Sequence, residues 1–263
     1  MQVSSAVSDY AQRFGGLARL YGADALPRLR AARVCVVGIG GVGSWAVEAL
    51  ARSGIGAITV IDLDDVCVTN INRQIHALDG QVGRPKVEAI AERVRLINPE
   101  CALVCTSEFF TQSTADRLLG EHYDFVIDCT DRLTNKCLLI AGCRDRGLPV
   151  LTVGGAGGRR DSTEVRVADL AHAKNDELFR QVRRKLRRDF GFPLDRAADF
   201  GALAVFSPEK PMYAWKNGTC SPRPEPGTRL NLDCETGFGT ASFVTGAFGF
   251  AAAGEVVRRI ALG

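Results

Sequence analysis

Short apolar runs alternate with amphipathic stretches along the first 158 residues of the chain. The apolar runs lie at 33–37, 57–61, 102–106, 124–128 and 149–153, and the amphipathic stretches lie after residue 43 and at 86–96, 113–119 and 136–144. Such short runs are typical of strands buried on both faces, and strands that alternate with helices predict a parallel sheet. Right-handed crossovers place helices on both sides of that sheet. We therefore predict an α/β fold with a Rossmann-like, doubly wound, mostly parallel sheet.

The segments that flank this alternation follow other patterns. The apolar spacing in residues 1–30 predicts a helical segment. After residue 158 we predict a strand at 164–167, a basic amphipathic helix at 172–190, a Pro- and Gly-rich irregular loop at 207–229 and a last helix ending at Ile260. We expect one domain with three parts, at 1–30, 31–158 and 159–263, in which the last part is a C-terminal extension of the same sheet.

The composition excludes several classes of protein. The 263 residues include 33 Lys plus Arg and 30 Asp plus Glu, a net charge of +3, with 46% hydrophobic residues. This balance excludes a disordered chain and a polycationic coat protein. Nine irregularly spaced cysteines favour reduced thiols, and a start without a secretory-signal layout favours the cytoplasm. Residues 236–254 carry no charge, but their Gly, Thr and Ser content favours a packed helix over a membrane span.

A glycine-rich turn follows the first predicted strand. It contains Gly38, Gly40, Gly41 and Gly43 and leads into a helix, so bare amide groups at a positive helix end can receive a phosphate. Asp62 follows the second strand, where a carboxylate can accept the ribose hydroxyls. These features alone fit a dinucleotide dehydrogenase about as well as an ATP site.

Cations and a further acid favour ATP. Asn70, Arg73 and Gln74 follow Asp64 closely, Lys86 opens the next predicted helix, and Asp131 lies just beyond a strand that ends at Asp128. Ligands of α/β proteins bind at the carboxyl ends of the strands, where these residues meet. A triphosphate needs more positive charge than a pyrophosphate bridge and brings magnesium, which an aspartate can hold.

Four motifs give a family resemblance. GIGGVGS, IDLDDVCVTNINRQ, VGRPK and DCTD together resemble the ubiquitin-activating-like adenylating family, which includes the molybdopterin and thiamine sulfur-carrier adenylyltransferases. The resemblance implies that the glycines, Asp62, Asp64, Asn70, Arg73, Gln74 and Lys86 bind ATP, that Asp131 holds magnesium with Asp128 a weaker candidate, and that Arg73, Lys86 and Asp131 are catalytic. It also implies a homodimer.

Further blocks resemble one tRNA-modifying branch of this family. They include RFGGLARLYG, INPEC, TVGGAGG, VFSPE and LDCETGFGTASFVTGAFGF. This resemblance implies ATP-dependent cyclisation of N6-threonylcarbamoyladenosine at position 37 of tRNA. The threonine carboxylate becomes an acyl-adenylate, and an internal nucleophile then displaces AMP.

Two departures from the sulfur-carrier relatives bear on metals and on the N-terminus. Those relatives carry a pair of CxxC zinc motifs, which this sequence lacks, so we predict no structural zinc. They also use a second arginine in an Arg-Tyr-x-Arg segment, for which Arg13 and Arg19 are weak substitutes here. Cys234 is a candidate thiol for a sulfur or acyl intermediate, with a cysteine desulfurase or sulfur acceptor as partner, although a small buried apolar role is favoured.

One basic helix suggests a nucleic-acid contact. Its cations are Arg180, Arg183, Arg184, Lys185, Arg187 and Arg188. A solvated helix face explains such a charge run equally well, but a tRNA substrate gives it a purpose.

Three alternatives stay open at this point. They are a sulfur-carrier adenylyltransferase acting on a diglycine C-terminus, a Rossmann NAD-binding dehydrogenase, and a noncatalytic membrane-associated scaffold.

Overall fold

The computed structural model describes residues 9–226 and 238–263. Its strands are β1 (Arg33–Val37), β2 (Ala57–Ile61), β3 (Ala102–Thr106), β4 (Phe125–Asp128), β5 (Val150–Val153), β6 (Arg166–Asp169), β7 (Leu203–Phe206), β8 (Tyr213–Ala214) and β9 (Cys220–Ser221). Its helices are α1 (Tyr10–Tyr21), α2 (Ala25–Ala31), α3 (Gly43–Arg52), α4 (Lys86–Ile97), α5 (Ala115–Leu118), α6 (Leu133–Asp145), α7 (Glu177–Asp189) and α8 (Ser242–Leu262).

A seven-stranded sheet with the order β3-β2-β1-β4-β5-β7-β6 organises the molecule. Every neighbouring pair is parallel except β6 with β7. Val37 at the end of β1 pairs with Ile61 on one side and Asp128 on the other. The chain therefore leaves β1 at the point where the strand order changes direction, and a ligand crevice opens at such a point.

The side chains of the central strands alternate between two cores. Val34 and Val36 of β1 join the core under α2, α3, α4 and α8, whereas Cys35 and Val37 join the core under α5, α6 and α7. Both faces are thus covered, which explains why the sequence shows continuous apolar runs in place of polar alternation. The predicted doubly wound α/β fold is confirmed.

The C-terminal third differs in detail from the prediction. The sequence analysis missed β7, and the small antiparallel pair of β8 and β9 lies inside the segment predicted as irregular loop. Strands of two residues leave no periodic signal, so this prediction was wrong. The basic helix begins at Glu177, five residues later than predicted, because the Asp176 side chain accepts a hydrogen bond from the Phe179 backbone N–H at 2.9 Å and caps it.

Helix α8 packs closely on α3 through small residues. A Cβ added to Gly249 would lie 2.7 Å from Trp45 Cβ and 2.7 Å from the Val42 carbonyl oxygen, so only glycine permits this approach. Within the described part of the chain, no helix combines the length and apolar character needed to cross a bilayer. The uncharged run therefore serves helix packing at least from Ser242 onward.

We predict that Gly249→Ala destabilises the protein by about 1–3 kcal/mol, because the added methyl group overpacks the contact with α3. Gly254→Ala is the matched control, since a Cβ there meets nothing within 4 Å. That change should stabilise the helix by about 0.5–1 kcal/mol. Urea unfolding of both variants measures the difference, and equal effects would contradict the packing argument.

Candidate active site

The turn after β1 is shaped by glycines. Gly38 has a φ of +89°, and a Cβ there would lie 2.9 Å from the carbonyl carbon and oxygen of Cys129. A Cβ on Gly43 would lie 1.8 Å from the Gly38 carbonyl oxygen. Both positions therefore require glycine, and the turn leads directly into the amino end of α3, which favours a bound phosphate.

Asp62 joins the turn to the end of β2. Its carboxylate accepts hydrogen bonds from the backbone N–H of Ile39 at 2.5 Å and of Asp64 at 2.8 Å. Burial raises the pKa of Asp62, while the nearby Lys86 ammonium acts in the opposite direction. The carboxylate is partly exposed beside the glycine turn, which is the place the sequence predicts for a ribose acceptor.

Lys86 lies at the start of α4, and its side chain is paired with Asp64. Its ammonium donates to the Asp64 carboxylate at 2.8 Å, and its backbone N–H donates to the Asp64 carbonyl at 3.0 Å. The Lys86 side chain is 8% exposed, whereas that of Asp64 is 55% exposed. The lysine is therefore held in one place by a partner that solvent can reach.

The loop after β2 carries the other predicted nucleotide ligands. Asn70 is buried, and its side-chain oxygen accepts the backbone N–H of Cys67 at 3.1 Å. The Arg73 side chain lies against Gly41, where its Cγ and Cδ are 3.5 Å from the position of an added Cβ. The structure thus brings Arg73 to the glycine turn, as the sequence predicts.

Two residues from distant parts of the chain hold this loop, and the sequence analysis missed both. The indole N–H of Trp45 donates to the Arg73 carbonyl at 2.9 Å, and the Thr245 hydroxyl donates to the same oxygen at 3.2 Å. Asn72 adds a hydrogen bond to the Thr240 carbonyl at 2.9 Å. The glycines of α8 are the sequence signal that could have identified this contact, since small residues on one helix indicate that another element packs closely against it.

Buried polar groups without partners lie in and beside this loop. Among the described residues, Ser44 Oγ, Gln74 Oε1 and both ring nitrogens of His76 make no hydrogen bond. Buried polar atoms are usually satisfied, so these groups indicate a place where water or a ligand completes the site. Burial lowers the pKa of His76 to about 4, with Lys86 and Arg93 acting in the same direction.

We predict that His76 makes the fold acid-sensitive. The unfolded histidine binds a proton below its ordinary pKa of 6.5, whereas the folded one stays neutral down to about 4. The free energy of unfolding should therefore fall by up to about 3 kcal/mol as the pH drops through this window. His76→Gln should flatten this dependence when denaturant titrations are repeated across the same pH window. An unchanged slope in His76→Gln would contradict the prediction.

Asp128 is a structural residue, which corrects its candidacy as a metal ligand. It is fully buried, and its carboxylate accepts hydrogen bonds from the Lys136 ammonium at 2.7 Å and the Thr152 hydroxyl at 2.6 Å. It also accepts the Thr130 backbone N–H at 3.0 Å and hydroxyl at 2.7 Å. No lone pair of Asp128 faces the crevice with room for a cation.

Asp131 has the opposite environment. It is exposed, follows β4 by three residues, and has no hydrogen-bond or ion-pair partner within residues 9–226 and 238–263. The same ranges contain no group of three His, Cys, Asp or Glu side chains placed to hold a metal ion. A single carboxylate suits magnesium, which takes one or two carboxylates together with phosphate oxygens and water.

Helix α7 lies apart from the glycine turn, on the opposite face of the sheet, where it packs on α6. Two of its predicted tRNA-binding cations act within the fold. Arg183 donates to the Ala173 carbonyl at 2.8 Å, and the Arg187 guanidinium lies 4.9 Å from the centre of the Phe200 ring. These contacts give Arg183 and Arg187 a structural role within the fold.

The other four cations of α7 face solvent to different degrees. Arg180 pairs with Glu177, and both Lys185 and Arg188 pair with Asp189. Arg184 is exposed and has no partner in the part of the chain that the structure describes.

Two further predicted groups lie elsewhere. Cys234 falls outside the described residues, and the eight cysteines within them are free. Arg13 donates to the Ile97 carbonyl at 3.4 Å, at the end of α4 opposite Lys86. Since α4 separates these ends by roughly 16 Å, Arg13 does not reach the crevice of its own chain.

Comparison with known proteins adds an independent finding. The chain matches the ThiF family over residues 13–262. It is 47% identical to the tRNA threonylcarbamoyladenosine dehydratase of Escherichia coli over 98% of this chain and 97% of that protein. The protein of the same name from Haemophilus influenzae is 45% identical with the same two coverages. The E. coli tRNA N6-threonylcarbamoyladenosine dehydratase structure in complex with ATP gives a TM-score of 0.84 at 45% identity, over 99% of this chain and 97% of that one.

Proposed function

Because the chain belongs to the ThiF family, we propose that it is an ATP-dependent enzyme that dehydrates N6-threonylcarbamoyladenosine on tRNA to its cyclic form. The resemblance to the adenylating family is thereby confirmed. The observation that carries the proposal is the similarity to tRNA threonylcarbamoyladenosine dehydratases along 98% of the chain. The crevice supports it, because Asp62 and Arg73 contact the glycine turn and Lys86 lies on Asp64, two residues beyond Asp62.

The reaction has two steps that together remove one water. An oxygen of the threonine carboxylate attacks the α-phosphorus of ATP, and the bond to pyrophosphate breaks. An internal nucleophile of the modified nucleoside then attacks the activated carbonyl carbon, loses its proton, and displaces AMP as the ring closes. The oxygen of the lost water leaves in AMP, so no hydrolysing water and no protein thiol are needed.

Different residues of the crevice bind different parts of the nucleotide. The backbone N–H groups of the turn beyond Ile39, whose own N–H donates to Asp62, and the amino end of α3 receive phosphate oxygens, and Asp62 accepts the ribose hydroxyls. Arg73 and Lys86 supply positive charge beside the phosphates. Because Lys86 is already held by Asp64 at 2.8 Å, it requires little reorganisation to stabilise the charge that develops on leaving pyrophosphate.

A magnesium ion fits this site through Asp131. Its exposed carboxylate at the end of β4 is free to bind a cation, and the neighbouring phosphates of ATP supply further oxygen ligands. When bound, the ion neutralises charge on the phosphates. The catalytic residues of this proposal are therefore Arg73, Lys86 and Asp131.

We predict that the purified protein with ATP, magnesium and modified tRNA removes one water from the threonylcarbamoyl nucleoside. Mass analysis of digested tRNA detects the loss. Asp131→Asn should slow the conversion by more than about a hundredfold, because metal stabilisation of charge contributes several kcal/mol. Asp145→Asn, which changes an exposed aspartate of α6, is the control. Absence of conversion by the unaltered protein would overturn the function, and normal turnover by Asp131→Asn would overturn the metal ligand.

The tRNA is proposed to contact the exposed cations of α7. Arg180 and Arg188 are 67% and 63% exposed, and surface ion pairs of this kind are weak enough to exchange for phosphate. Arg184 is exposed and unpaired among the residues described. This arrangement supports a salt-dependent contact with the phosphate backbone.

We predict that replacing Arg180, Arg184 and Arg188 together by glutamate weakens tRNA binding by roughly tenfold or more at low salt. ATP binding should not change, because α7 lies on the other face of the sheet from α3 and α4. The same reversal at the exposed Arg117, Arg166 and Arg258 is the control for net charge. Filter binding over a range of salt measures both variants, and equal losses would contradict a specific role for α7.

A homodimer in the cytoplasm completes the proposal. Phe243 and Phe250 of α8 are exposed apolar side chains beside Trp45, and Val68 and Ile71 are exposed on the nucleotide loop. Exposed apolar groups of this size support contact with another protein surface. A tRNA substrate supports the cytoplasm as the compartment. The proposed chemistry includes no sulfur-transfer partner, since the ring closes without a thiol.

A further inference from the structure

A buried ion pair lies directly beneath the end of β4. The ammonium of Lys136 and the carboxylate of Asp128 are 2.7 Å apart, and both side chains have no exposed surface. Lys136 comes from the first turn of α6, Asp128 ends β4, and Thr152 on β5 contacts both charged groups. Three elements of the fold therefore meet at one pair of charges.

Every polar atom of this group is used. One carboxylate oxygen of Asp128 accepts from Lys136 and Thr152, and the other accepts the backbone N–H and hydroxyl of Thr130. Lys136 also donates to the Thr152 hydroxyl at 3.0 Å. A buried pair offsets its desolvation cost best where its remaining hydrogen bonds are made, and here four donors reach the Asp128 carboxylate while Lys136 uses two of its three N–H groups.

Such a pair is weak evidence for stability, because well-packed apolar residues of similar volume usually serve as well. Its geometry has a clearer consequence for the crevice. The hydrogen bonds from Thr130 to Asp128 set the conformation of the turn that carries Asp131. Cys129 lies between Asp128 and Thr130 in the sequence. Its backbone N–H donates to the Val37 carbonyl at 2.8 Å, and its own carbonyl group packs against Gly38.

We propose that Lys136, with Asp128 and Thr152, is a positioning residue that holds the Cys129–Asp131 turn in the geometry in which Asp131 receives magnesium. The inference rests on the proposed function, since it gives Asp131 a metal to bind. Lys136 touches neither nucleotide nor metal and acts through Asp128 and Thr130. Groups that orient metal ligands through hydrogen bonds typically lower metal affinity or activity by about 10- to 100-fold when they are removed.

The experiment compares two ion pairs whose carboxylates are buried, although the Arg93 side chain is 29% exposed and that of Lys136 is not exposed at all. Lys136→Met removes the cation of this group. Arg93→Met removes a cation from the Glu48 carboxylate, which is also buried and bonded at 2.9 Å, but between α3 and α4. Either change leaves a buried carboxylate short of a partner, so both variants should lose stability. Only Lys136→Met should affect the Asp131 turn.

The measured quantity is the gain in affinity for a non-hydrolysable ATP analogue that magnesium provides, obtained by calorimetry with magnesium and with a chelator. Lys136→Met should lose about tenfold or more of this gain. Its affinity in chelator should stay unchanged, and Arg93→Met should keep the full gain. In turnover assays, the magnesium concentration that gives half-maximal rate should be higher for Lys136→Met than for the unaltered protein. For Lys136→Arg, which keeps a cation, it should lie between these two values.

A milder variant keeps the test decisive if Lys136→Met does not fold. Thr152→Val removes one donor to Asp128 with little change of shape, and it should reduce the magnesium-dependent gain in the same direction. A full gain in both Thr152→Val and any folded Lys136 variant overturns the inference. That result leaves the proposed function standing, provided that the unaltered protein still converts modified tRNA. Absence of conversion by the unaltered protein overturns the function itself.

Discussion

The contact between two backbone turns at the carboxyl edge of the sheet constrains the rest of the molecule. The turn after β1 touches the segment after β4 so closely that a methyl group on Gly38 has no room, and a methyl group on Gly43 would collide with the Gly38 carbonyl within the turn itself. This approach aligns the amino end of α3 with the crevice and keeps β2 and β4 on either side of β1. Charged residues that follow these strands are consequently carried to one edge, whatever their separation along the chain.

The crevice is completed from behind by the C-terminal helix. The carbonyl of Arg73 accepts hydrogen bonds from Trp45 of α3 and from Thr245 of α8, so the loop after β2 depends on a residue 172 positions further along the chain. The glycines of α8 permit this contact. The C-terminal extension therefore supports the loop that carries Arg73, which agrees with a family match that continues to residue 262.

The sequence predicted those features that are encoded locally. The strands before Gly38 and Asp62, the glycine turn and Lys86 at a helix start follow from periodicity and spacing over a few residues. Features that depend on distant partners were missed or misassigned. In the sequence, Asp128 looks like an available metal ligand. In the structure, Lys136 and Thr152 donate hydrogen bonds to its carboxylate. The two-residue strands β8 and β9 are too short to leave a pattern.

The role of each cation depends on what its neighbours leave unpaired. Lys136 and Lys86 are both buried lysines at the starts of helices, and both contact an aspartate. The Asp128 carboxylate accepts four hydrogen bonds, so Lys136 has a structural role. Asp64 is largely exposed, so in the proposed function its lysine can exchange this carboxylate for a phosphate oxygen. The same pair of residue types thus stabilises the turn in one place and holds a lysine on an exposed carboxylate in the other.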